Sequence, residues 1–85
     1  LDDISKSEQR QITIAFKAMY AKLVQESLEN HEKLRIRFYS SGKLVAVEVL
    51  KNGQWVLSEK LTNVFLEFTA QSLNLNREMS MVVEK

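Results

Sequence analysis

The chain contains two glycines and no proline, and both glycines fall inside one alternating stretch from Leu34 to Ser58. Ser41-Gly42 and Asn52-Gly53 divide that stretch into three apolar-rich runs, LRIRFYS, KLVAVEVL and QWVLS. Asn-Gly is the strongest short hairpin signal, because both central residues of a type I′ turn need positive φ. Three antiparallel strands joined by two short turns are therefore expected. With both glycines used in turns, none is left to build a phosphate-cradling loop.

The turns also set a register. A two-residue turn at Asn52-Gly53 pairs Lys51 with Gln54, Leu50 with Trp55, Val49 with Val56 and Glu48 with Leu57. A similar turn at Ser41-Gly42 pairs Tyr39 with Leu44, Phe38 with Val45, Arg37 with Ala46, Ile36 with Val47 and Arg35 with Glu48. Directly opposed residues share a face, so Leu34, Ile36, Phe38, Val45, Val47, Val49 and Val56 form an expected core side. Arg35, Arg37, Tyr39, Leu44, Ala46, Glu48, Leu50, Trp55 and Leu57 form the outer side. A slip of one residue would exchange the two faces, so the assignment rests on the turns.

On either side of the strands the apolar period becomes that of a helix. Ser5-Lys6-Ser7-Glu8 has the form of a capping box. From there Ile12, Ala15, Phe16, Met19, Tyr20 and Leu23 recur at helical spacing, and nothing breaks the pattern before about His31 or Glu32. Ile14, Ala18, Ala21 and Leu28 make a second, weaker apolar face. After the strands, Leu61, Val64, Phe65, Phe68 and Leu75 define a second helix, with Ser58 or Thr62 as its N-cap, Leu66 and Leu73 to one side, and a stop at Asn74-Leu75-Asn76. Met79, Met81 and Val83 alternate with Ser80 and Val82 as a fourth strand. A right-handed crossover would lay it parallel beside the first strand. The expected fold is a small single α+β domain over residues 1–85, in the order α-β-β-β-α-β.

A chain of 85 residues without cysteine has neither disulfide nor thiolate–metal support for a core of marginal size. Oligomerisation, most simply a homodimer, is the expected remedy. The apolar runs are too short to span a bilayer, and the N-terminus lacks the order of a secretory signal, so no membrane partner and a cytoplasmic location are expected. The first residue is not methionine, which suggests a segment processed or excised from a longer protein. Net charge is +1, but residues 33–60 hold six cations against Glu48 and Glu59, while the remainder carries a net −3.

No catalytic constellation stands out in the sequence. His31 is the only histidine and sits near an expected helix end, where a positive imidazole is simply favourable. No serine stands in a nucleophile-elbow context. Asp2 and Asp3 suit a helix's positive end, Glu26, Glu29 and Glu32 form a solvated stripe, and Glu48 faces Arg35 as a cross-strand ion pair. We therefore expect no enzyme, no metal, no cofactor and no small-molecule substrate.

The positive finding is the outer side of the sheet. Arg35, Arg37, Tyr39, Leu44, Leu50, Trp55 and Leu57 make a patch of the composition enriched at interface centres, larger than a monomer commonly leaves wet. The expected function is a non-catalytic protein-interaction or dimerisation module (adaptor, chaperone-like or inhibitor) acting through this face. The alternative is single-stranded nucleic-acid binding on the same face, with Trp55 and Tyr39 stacking bases and Arg35, Arg37, Lys43 and Lys51 meeting phosphates. The element order resembles that of small dimeric secretion chaperones, an analogy of fold carried by no signature residue.

Overall fold

The computed structural model describes residues 4–24, 33–72 and 78–83. Helix α1 (Lys6–Val24) precedes strands β1 (Leu34–Tyr39), β2 (Leu44–Lys51) and β3 (Gln54–Leu57), followed by helix α2 (Glu59–Gln71) and strand β4 (Ser80–Met81). The result is a small α+β domain in the expected order α-β-β-β-α-β, with both helices packed on one side of the sheet.

The second turn forms as its residue types dictate, with φ of 51° at Asn52 and 77° at Gly53. The first is tighter wound than expected: β1 stops at Tyr39, and Ser40, Ser41 and Gly42 all have positive φ (50°, 58° and 94°) in a short 3-10 turn that the Lys43 N–H closes on the Ser40 carbonyl at 3.2 Å. The pairs from Arg35↔Glu48 to Tyr39↔Leu44, and from Glu48↔Leu57 to Lys51↔Gln54, are those expected from the turns. Gly42 has a second role. A Cβ there would stand 2.9 Å from the Ile4 Cβ, so the bare backbone lets the buried Ile4 seat against the turn. At Gly53 the space is open, and only the φ angle demands glycine.

Leu34, Val45, Val47 and Val49 are buried on the helix side, and Ile36 and Phe38 pack partly against them. Val56 departs from the expected core: it is 43% exposed. Its parity is right, but β3 is a four-residue strand at the sheet margin and the helices pack against β1 and β2. From α1, Ile12 and Phe16 are buried, with Met19 and Tyr20 packed beside them. Phe65 of α2 meets Phe16 edge-on at 5.1 Å and Phe38 at 6.0 Å, and Phe16 meets Phe68 at 5.6 Å. These rings join both helices to the sheet, each such pair adding about 0.5–1.5 kcal/mol beyond area burial.

The helix starts follow from local chemistry. Ser5 and Glu8 form the reciprocal capping box, with the Glu8 N–H donating to the Ser5 hydroxyl at 3.2 Å and the Ser5 N–H to the Glu8 carboxylate at 3.3 Å. Ser58 is the N-cap of α2, accepting from the Leu61 N–H at 3.2 Å. Helix α2 ends at Gln71, where Ser72 is the C-cap, earlier than the expected stop at residues 74–76. That stop, with Leu73 and Leu75, lies outside the described residues, as do Leu28 and the expected helix end near His31, and the side chain of Leu23. On the second face of α1, Ile14 is 62% exposed and Ala18 and Ala21 are also exposed.

Strand β4 corrects the expected topology. It is parallel to β2, pairing Leu44↔Ser80 and Val45↔Met81, and does not lie beside β1. The reason is an open length of β2. Strand β1 already occupies one edge of β2 from Leu44 to Val49, and β3 covers the other edge only from Glu48 onward. Upstream of Glu48 the carbonyls of Lys43 and Val45 need donors, and the N–H groups of Ser80 and Val82 supply them at 3.1 and 3.0 Å. Between β3 and β4 no strand reaches Val47. There the Val47 carbonyl accepts from the Ser58 N–H at 2.9 Å, and the Val47 N–H donates to the Thr62 hydroxyl at 2.9 Å. Thr62 is fully buried and donates in turn to the Ser58 carbonyl at 2.7 Å.

Two outcomes are expected in denaturant melts. Thr62→Val keeps the shape but orphans a buried N–H, so it costs about 1–3 kcal/mol and accelerates amide exchange at Val47, whereas Thr62→Ser leaves that amide protected. Gly53→Ala costs about 1–2 kcal/mol from the left-handed conformation alone, and Gly42→Ala costs more, because Ile4 must also shift.

Candidate interaction surface

Opposite the helices, the outer face is built around Glu48. The central strand holds it there between Arg35 of β1 and Leu57 of β3. Its residue is only 7% exposed. A carboxylate so placed needs charged hydrogen-bonding partners. The Arg35 Nε donates to Glu48 Oε1 at 2.6 Å, and the Arg37 guanidinium lies 3.8 Å from Oε2. The expected Arg35–Glu48 pair is present, and a second arginine joins it.

Each arginine also covers a ring. The Arg35 guanidinium reaches across β2 to lie 4.4 Å from the Trp55 ring centroid, and that of Arg37 lies 5.0 Å from the Tyr39 ring. At partly exposed sites a cation over a ring contributes about 0.5–1 kcal/mol. The face thus carries a continuous array, Tyr39–Arg37–Glu48–Arg35–Trp55, whose long side chains are held by their neighbours.

The other expected members surround this array. Leu44, Leu50 and Leu57 are half-buried, as are Arg35 and Tyr39, while Arg37 and Trp55 are exposed, Trp55 at 37%. Ala46 is buried. Within the described residues, β4 lies in the plane of the sheet beside β2, so it does not wrap over this face. At the start of β1 there is an open recess of about 510 Å³, lined among the described residues by Lys17, Tyr20, Lys33, Leu34, Arg35 and Trp55. Lys17 and Tyr20 reach this recess from α1, whose approach to β1 depends on tertiary packing and not on a local sequence pattern. The register expects Glu48 to be one half of an ion pair with Arg35, and the structure adds Arg37 to it.

No protein-family model, curated protein or solved structure matches this chain. Among the described residues no group of three or more potential ligands could hold a metal ion, and no helix is long and apolar enough to cross a membrane.

The clamp makes an asymmetry measurable. Glu48→Ala releases two arginines that are already 39% and 46% exposed, so about 1 kcal/mol is expected. Replacing Arg35 and Arg37 together by alanine leaves a buried carboxylate without partners and should cost about 3 kcal/mol. Urea melts of the two variants check the order, and equal losses would contradict it.

Proposed function

We propose that this chain is a non-catalytic protein-interaction module, self-associating or docking another protein through the outer face of its sheet. The observation that carries the reading is Trp55, exposed at 37% under the Arg35 guanidinium, with half-buried Leu50 directly opposite it and half-buried Leu57 two residues along its strand. Tryptophan, tyrosine and arginine are the residues most enriched among interface hot spots. Side chains immobilised before binding lose less freedom on association, and here Glu48 supplies that immobilisation. The surrounding leucines supply the apolar contact that excludes water from the anchor.

Single-stranded nucleic acid is less well served by this geometry. Base stacking needs an open ring face, and a guanidinium already lies over each of the two rings. The same guanidiniums share Glu48, so two cations on this face leave a net charge of only one for a run of phosphates.

Sedimentation of the wild type beside Trp55→Ala and Leu50→Lys tests the reading. Self-association at micromolar concentration that both variants weaken by about tenfold or more, a loss of about 1.4 kcal/mol, is the expected result. A wild-type monomer whose Trp55 emission responds to no candidate protein would overturn it. A salt-dependent shift of a labelled oligonucleotide, abolished by Trp55→Ala, would favour nucleic acid instead.

A further inference from the structure

The backbone of β1 points to a second surface, the open edge of the sheet, which shares Arg35 and Arg37 with the outer face but does not depend on Trp55. Along β2, Val45 and Val47 direct their peptide groups away from β1, toward Val82, Ser58 and Thr62. Leu50 donates in the other direction, to the Lys33 carbonyl at 2.8 Å. Peptide groups alternate along an antiparallel ladder. With the register observed, Arg35, Arg37 and Tyr39 therefore turn their peptide groups toward β2. Leu34, Ile36 and Phe38 turn their N–H and C=O groups toward the opposite edge. Among the described residues no strand pairs with that edge.

The two margins of the sheet are treated differently. One is broken into a four-residue strand and a two-residue strand, with Thr62 between them. The other is β1, six residues long and regularly paired from end to end, without proline or bulge. Long regular edges accept further strands unless something blunts them.

Side-chain chemistry selects the occupant. Arg35 and Arg37 share one carboxylate, Glu48, so this part of β1 stays net positive. Lys17 and Lys33 border the recess at its start, and no carboxylate among the described residues lies within ion-pair range of either. A second copy pairing antiparallel about Ile36 would set Arg35 opposite Arg37, and pairing about Arg37 would set that residue opposite itself. Like charges directly opposed are destabilising. On the helix side, half-buried Ile36 and Phe38 offer apolar contacts to every second residue of an added strand. We infer that the open edge of β1 accepts an extended, acidic segment of a partner protein as an additional strand. Its acidic residues stand beside Arg35 and Arg37, and its apolar residues stand beside Ile36 and Phe38. Main-chain bonds provide the attachment in such strand addition, and alternate side chains provide the selection.

The test uses two synthetic peptides, one alternating valine and glutamate and one with lysine in place of each glutamate. Each is titrated at low salt while amide exchange is followed by NMR. The valine–glutamate peptide should slow exchange at Leu34, Ile36 and Phe38, and the lysine peptide should not. Arg37→Glu should weaken the acidic peptide by about tenfold and admit the lysine peptide. Lys33→Glu, at an exposed position, supplies a second charge reversal should the first variant fold poorly. Three results would overturn the inference: no protection of these amides at low salt, equal protection by both peptides, or protection already present without peptide in a self-associated protein. Because the readout is the edge amides, it is unaffected if Trp55 proves to bind nothing.

Discussion

The hydrogen bond from the Val47 N–H to Thr62 lets a single central strand organise the three other strands with only two short neighbours on one side. Strand β2 is buried along most of its length, so each of its peptide groups must find a partner. Strand β1 serves one edge, and β3, β4 and a helix side chain divide the other. The Thr62 hydroxyl accepts from the strand and donates to the Ser58 carbonyl, so one side chain satisfies the sheet while bonding the first turn of its own helix. That fixes where α2 begins relative to β2, and with it the position of Phe65 between Phe16 and Phe38. The packing of α1 on the sheet then depends on those rings.

Much of this arrangement was legible because turn chemistry is local. Once Gly42 and Gly53 are assigned to turns, parity alone sorts the residues of β1 and β2 correctly between the two faces. Parity could not place Val56, because facing a core differs from being covered by one, and coverage depends on how far a helix reaches. Thr62 was legible as a polar residue at a helix start, which suggested capping. Ser58 does the capping, and Thr62 serves a backbone group fifteen positions earlier, a pairing that no local pattern encodes. The place of β4 beside β2 is set by the same kind of distant pairing. The deciding fact is the unsatisfied length of β2 left by a short β3, whereas handedness alone favoured β1.

On the outer face the register alone brings Arg35 and Glu48 together. It did not reveal that both guanidiniums would cover rings, since that requires Arg35 to cross the full width of β2 to reach Trp55. The array changes the meaning of the patch. Its aromatic and cationic residues are linked to one another through a single buried carboxylate.

The hairpins have a consequence for how the chain assembles. Pairing β1 with β2 and β2 with β3 closes the shortest loops available, and short loops lose the least entropy on closure. Joining β4 to β2 instead encloses β3 and the whole of α2. The sheet is thus wired locally on one side and by one distant splice on the other. Contacts between residues far apart in sequence are the slow ones to establish, so the splice beside Thr62 marks the boundary between what neighbouring residues organise by themselves and what must wait for the helix to dock.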